Sequence, residues 1–141
     1  MKHAERSNVT LTEELELVRT YLEIEKVRFG DRLQYEIVCE NELKDVQLPA
    51  LLIQPLVENS IKHAIAADVH GGTISVEAKR VGNECVISVR DSGKGFQEAR
   101  NEGGFGLLSI QERLRLRYGD KASLQIIEDG HTHIDITLPI S

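Results

Sequence analysis

Two runs that alternate apolar and polar residues, TISVEAKRV (residues 73–81) and CVISVRD (residues 85–91), stand on either side of Gly82-Asn83. Period-two alternation places one set of side chains on a buried sheet face and the other toward water. A glycine-asparagine pair between two such runs gives the tight loop that folds them against each other. An antiparallel pair at the centre of the chain is therefore the fixed element around which everything else has to be arranged. A second pair closes the chain, ASLQIIED and HIDITLPI around Asp129-Gly130, and LQYEIVC (residues 33–39) alternates as a further half-buried strand.

Helical patterns separate these strands. In TLTEELELVRTYLEIEKVRF, Thr10 and Glu13 have the spacing of a capping box, so the helix is expected to start there, run to about Phe29 and stop at Gly30. Leu11, Leu15, Val18, Leu22 and Phe29 form one stripe at helical spacing, and Leu17, Tyr21, Ile24 and Val27 form a second on another side, which predicts two packing neighbours. The segment LPALLIQPLVENSIKHAIA is read as another helix with Pro49 in its first turn, where the missing N–H costs nothing. LLSIQERLRLRYG, from Leu107, returns to helical period. Helices mixed with antiparallel strands in this order predict an α+β fold, a two-layer α/β sandwich whose mixed, mostly antiparallel sheet is covered on one face by helices.

Composition narrows the function. A chain of 141 residues is long enough for one cored domain, and a formal net charge of -6 disfavours nucleic acid as a partner. Cys39 and Cys85 are far apart in apolar runs and without CxxC spacing, which fits buried thiols in a reducing cytosol. No apolar run has the length of a membrane span, and MKHAERSNV lacks the apolar middle of a signal peptide. No His, Cys and carboxylate cluster has the spacing of a metalloenzyme site.

Two stretches carry chemistry. Within LIQPLVENSIKHAI, helical geometry puts Ile53, Val57, Ser60, Ile61 and Ala64 on one side and Glu58, Asn59, Lys62 and His63 on the opposite arc. The plainest reading of that arc is a solvated face with a Glu58–Lys62 pair one turn apart. Asn59 strains it, because asparagine is a poor helix former in mid-helix, whereas its amide oxygen is a hard, neutral ligand suited to Mg²⁺ and a nearby lysine suits phosphate. The other stretch, DSGKGFQEARNEGGFG (residues 91–106), holds five glycines and reads as a loop of about 15 residues, long enough to have a function of its own. Asp91 ends a strand there, placed to accept a hydrogen bond from the exocyclic amine of adenine, with glycines letting a flat base approach. Gly103, Gly104 and Gly106 precede the Leu107 helix, whose free N–H groups favour phosphate.

Taken together these stretches resemble the ATP-binding catalytic domain of a LytS-type sensor histidine kinase, within the GHKL superfamily and its Bergerat fold. LPALLIQPLVENSIKHAI is similar to the N box, DSGKGF to the G1 box and GGFGLLSIQERL to the G2 box, while LTEELELVRTYLEIEKVRFGDRL resembles the segment joining the dimerisation helices to the catalytic domain. The resemblance implies residues 1–30 as linker helix and 31–141 as catalytic domain. It implies that Asn59 holds Mg²⁺ against the ATP phosphates, that Glu58 assists transfer by polarising the acceptor imidazole or a water, that Lys62 contacts phosphate, and that His63 lies near the nucleotide. Asp91 would read the adenine amine, Gly93 and Gly95 would admit the base, and Gly104 and Gly106, followed by Leu107, would hinge a lid over the triphosphate, mobile without nucleotide. Glu102 stands where relatives often carry a further glycine.

The family's phosphoacceptor motif, a histidine followed by Phe-Leu-Phe-Asn, does not occur in this sequence, and His3 lacks that context. His70, His131 and His133 read as ordinary surface residues. The resemblance therefore implies a parent that carries its phosphorylated histidine, sensor and membrane anchor upstream, acts as a homodimer with this part in the cytoplasm, and relays phosphate to a response regulator. A protein serine kinase of the anti-sigma type shares the pocket, and a nucleotide-gated interaction module without transfer activity is the reading from a different class.

Overall fold

The computed structural model describes residues 8–93 and 96–140, and within the latter the side chains of residues 96–105 lie outside the description. The elements are β1 (Asn8–Thr10), α1 (Leu11–Phe29), β2 (Leu33–Cys39), β3 (Gln47–Pro49), α2 (Gln54–Ser60), β4 (Gly72–Val81), β5 (Glu84–Asp91), α3 (Phe96–Tyr118), β6 (Ser123–Ile126) and β7 (Thr132–Pro139). Five strands form one sheet in the order β2-β4-β5-β7-β6, with β2 and β4 parallel and every other pair antiparallel. The helices cover one face, so the expected two-layer sandwich is the observed one. None of the described helices is long and apolar enough to cross a membrane.

The central hairpin has the predicted register. Val81 faces Glu84 across a two-residue loop, and Gly82 takes a positive φ of 62°, a conformation that glycine adopts without the Cβ clash other residues meet. Cys85, Ile87 and Val89 of β5, Ile74, Val76 and Ala78 of β4, and Ile134, Ile136 and Leu138 of β7 point to the helical layer and are buried. Leu11, Leu15, Val18 and Leu22 of α1, Leu56, Val57 and Ile61 from the second helical segment, and Leu107, Ile110 and Leu114 of α3 close that core from above. Helix α1 thus contributes its whole inner stripe to the same core. The outer stripe stays largely in water, with Leu17, Ile24 and Val27 at 48%, 63% and 88% exposure. Cys85 is buried and Cys39 half-buried, both free thiols, and burial pushes the Cys85 thiol up to about 12.

Helix α1 starts as its sequence dictates. The Thr10 hydroxyl accepts the Glu13 N–H at 3.1 Å and the Glu13 carboxylate accepts the Thr10 N–H at 2.9 Å. Gly30 ends it with a φ of 59°. Two expectations are corrected. Pro49 does not open a helix: it ends β3, which pairs with β1 through Val9 and Leu48, and helix α2 begins only at Gln54 with Pro55 in its first turn. The polar segment before it is structured, with a short 3-10 turn over Asn41–Leu43 that buries Leu43. The glycine-rich stretch is not all loop either, because α3 begins at Phe96 rather than Leu107. Gln97, Glu98, Ala99 and Arg100 are good helix formers, and they extend the helix back through Gly103, Gly104 and Gly106.

Replacing Thr10 with Ala removes one half of the capping box. It is expected to lower unfolding free energy by about 1 kcal/mol in urea titrations, with an unchanged dependence on denaturant.

Candidate functional site

The C-terminal end of β5 meets helix α2 at one buried carboxylate. Asp91 continues the inward row of Cys85, Ile87 and Val89, so the alternation that builds the core also drives this acid into it, leaving it 6% exposed. Its Oδ2 accepts the Ser60 hydroxyl at 2.6 Å, and its Oδ1 accepts the Gly93 N–H at 2.8 Å in an Asx turn. Burial raises the Asp91 carboxyl above the ordinary aspartate value of 3.8, against the opposing pull of bonds from Ser60, Gly93 and Thr132 and of the nearby His131.

The turn after Asp91 is fixed from three sides. The Ser92 hydroxyl accepts the Thr73 N–H at 2.9 Å, and the Ser92 N–H donates to the Thr73 carbonyl at 3.1 Å, tying the turn to β4. A Cβ on Gly72 would collide with the Ser92 hydroxyl. A Cβ on Gly93 would lie 2.8 Å from Asp91 Oδ1 and 3.1 Å from the Ala64 Cβ, so only glycine leaves this floor flat. From the β6–β7 hairpin, His131 Nδ1 lies 3.0 Å from the Gly93 carbonyl oxygen.

Helix α2 supplies the other wall. After Ser60 it widens into a π turn over Ile61–Ile65, closed by the Ala66 N–H on the Ile61 carbonyl at 2.8 Å. Such turns inside α-helices recur at functional sites. Ser60, Ile61, Ala64 and Ile65 face inward and are buried, Asn59 and His63 are half-buried, and Glu58 and Lys62 are exposed. The predicted polar arc is thereby present as a rim beside Asp91. Glu58 Oε2 accepts the Gln54 side-chain amide at 2.9 Å one turn back. Burial, followed by the charges of Glu25 and Glu58, pushes the Tyr21 hydroxyl up to about 12, so Tyr21 of α1 borders the same rim.

Gly95 lies outside the described residues, as does His3. Gly104 lies within α3, Gly106 is half-buried in it with open space where a Cβ would be, and Leu107 packs into the core at 6% exposure. The helix N-terminus expected after Gly106 is therefore not formed there. Sequence reasoning missed Ser60, His131 and Thr132 as partners of the Asp91 corner; Ser60 was legible as the one hydroxyl on the apolar side of its helix. His133 is corrected from surface to buried. It sits at 8% exposure in β7, with Nδ1 3.3 Å from Asp129 Oδ2 and Nε2 2.9 Å from Asp135 Oδ1, because strand alternation sets it between acidic neighbours.

Residues 44–141 match the model of the histidine kinase-, DNA gyrase B-, and HSP90-like ATPase family, and residues 1–33 match the histidine kinase family. The chain belongs to this ATPase family. It is 38% identical over 133 residues to the sensor histidine kinase BtsS of Escherichia coli, covering 93% of this chain and 24% of that protein. The sensor histidine kinase YesM of Bacillus subtilis is 34% identical over 143 residues (97% and 25%), and the sensor protein LytS of Oceanobacillus iheyensis 33% over 140 (89% and 24%). The chain thus spans about a quarter of the length of these relatives. Its fold is that of the catalytic domain of the histidine kinase ThkA, with a TM-score of 0.69, 17% identity and 94% of each chain covered. The family assignment makes this an ATPase domain of the LytS type.

Because the folded protein holds the Asp91 proton to higher pH than the unfolded chain does, this group's contribution to stability is complete below the ordinary aspartate range and fades as pH rises through the raised folded value. The stability of the wild type relative to Asp91→Asn is therefore expected to decline as pH rises from the ordinary aspartate range through that raised value, in urea titrations at stepped pH. A constant difference would show that Asp91 is not desolvated.

Proposed function

We propose that this chain is the ATP- and Mg²⁺-binding catalytic part of a two-component sensor kinase, which transfers the γ-phosphoryl group to a histidine on a dimerisation region of its own parent for relay to a response regulator. The observation that carries the reading is the buried Asp91 carboxylate, held by Ser60 and the Gly93 N–H at the foot of the Glu58-Asn59 rim. A carboxylate offers about four lone-pair sites, so these two bonds and the one from Thr132 leave capacity for one more donor, and the exocyclic amine of adenine fits it. Gly93 keeps the floor flat for the base.

At the rim, Asn59 is the residue that would hold Mg²⁺. A single neutral amide oxygen fits an ion that keeps most of its coordination for water and nucleotide phosphates. Bound there, the ion neutralises charge on the transferring phosphates. Glu58 is exposed and held on one oxygen by Gln54, which leaves the other to orient and polarise an incoming imidazole, and Lys62 on the next turn meets phosphate as a point charge. His63 lines the rim beneath them. Gly104 and Gly106, costly residues in a helix interior, let the first half of α3 reshape as a lid hinged where Leu107 anchors in the core. Positioning and charge neutralisation supply most of the catalysis in such a site.

In this reading residues 1–30 are the linker helix and 31–141 the catalytic domain, and the exposed stripe of Leu17, Ile24 and Val27 meets the dimerisation helices of a homodimeric, membrane-anchored parent whose catalytic part is cytoplasmic. Tyr21, on that stripe and beside Glu58, supports it, since the face that receives those helices then adjoins the group that meets the histidine. ThkA has been solved in complex with the response regulator protein TrrA, which supports a response regulator as the final acceptor here too.

Calorimetry tests the site. Asp91→Asn is expected to weaken ATP binding on the order of 100-fold by replacing an acceptor with an amide that presents a donor. Asn59→Ala is expected chiefly to abolish the dependence of affinity on Mg²⁺. Unchanged binding in both variants contradicts the assignment.

A further inference from the structure

Glu14 is fully buried, a rare position for a carboxylate, and it lies on the inner side of α1 among Leu11, Leu15 and Val18. Its partners are in another element. Oε1 accepts the Leu51 N–H at 3.0 Å, and Oε2 accepts the N–H groups of Ile53 at 2.9 Å and Gln54 at 3.2 Å. Helix α2 has no side-chain cap of its own, so Glu14 satisfies the amides that open it. The same segment is gripped from the opposite side by α3: Arg113 Nη1 donates to the Leu51 carbonyl at 2.9 Å, and Nη2 donates to the Ala50 carbonyl. Between the two grips Leu51 is held at a φ of 59°, alone among the described non-glycine residues in having a positive value. A branched side chain adopts that conformation only where its surroundings over-determine it.

Resting on the nucleotide reading above, we propose that Glu14 and Arg113 are positioning residues for the phosphate end of the pocket. They lock residues 50–54 to α1 and α3, and thereby set where Glu58 and Asn59 stand. The chain of contact is short. Gln54, whose N–H is held by Glu14, reaches Glu58 through its own side chain, and Asn59 is the next residue. A carboxylate buried this deeply cannot leave its donors without being stranded, so α1 carries the start of α2 with it when it shifts. The arrangement makes α1 a lever on the metal and phosphate groups, while Asp91, held to β5 and the far end of α2, stays with the sheet.

The two ends of the pocket can be read separately, because adenosine lacks phosphates and engages only the Asp91 end. In this chain Glu14→Gln, which keeps the volume and turns one acceptor into a donor, is expected to weaken Mg-ATP binding about tenfold in calorimetry while adenosine affinity changes less than about twofold. Arg113→Lys, which loses the two-pronged grip at a less buried position, is expected to show the same selective loss at smaller size, and it decides the matter if Glu14→Gln does not fold. Equal losses for both ligands, or none for either, would overturn the proposal by showing a merely structural clamp or an idle one. A wild type that binds neither ligand would instead overturn the nucleotide reading and this inference with it.

Discussion

The bond from the Ser60 hydroxyl to the Asp91 carboxylate, 2.6 Å long and buried, is the contact on which the rest of the pocket depends. It joins the last inward position of the central strand to the middle of the helix that carries Glu58 and Asn59. An acid at that point is costly, as its raised protonation shows, and it is tolerated because Ser60, the Gly93 amide and Thr132 each give it a hydrogen bond. Those bonds fix the direction of the remaining lone pairs, which is what a recognition group requires.

The two buried carboxylates among the described residues solve the same electrostatic problem for different ends. Both face backbone N–H groups rather than cations. Glu14 uses its oxygens on three amides that begin α2 and joins elements within the fold. Asp91 uses one backbone amide and the Ser60 and Thr132 side chains, and it lies beside Gly93, where a Cβ would crowd its carboxylate. The first organises the helix that would meet phosphate, and the second organises the corner that would meet a base.

Much of this was legible in the chain because the signals were local. The capping box of Thr10 and Glu13, the Gly82-Asn83 hairpin and the inward row ending at Asp91 each depend on residues a few positions apart, and each formed as its spacing dictates. What escaped depends on distant partners. Pro49 reads as a helix opener until Leu48 pairs with Val9 and Glu14 takes the amides of Leu51, Ile53 and Gln54. Three glycines before Leu107 read as a break until the helix-forming run at Gln97–Arg100 extends the helix through them. His133 reads as a hairpin-surface residue until the sheet brings Asp129 and Asp135 to its two nitrogens. The resemblance to a kinase points to Glu58, Asn59 and Asp91, but Ser60, the partner that orients Asp91, is visible only when strand and helix are set side by side.

If the proposed site is right, the buried carboxylate of Asp91 accepts a hydrogen bond from an amine of the ligand. Comparing the binding of ATP with that of inosine triphosphate, which differs at that position by presenting a carbonyl oxygen, tests it most directly. ATP is expected to bind more tightly on the order of 100-fold, because a carbonyl leaves the Asp91 oxygens facing another acceptor without a proton between them. Equal affinities for the two nucleotides would contradict it.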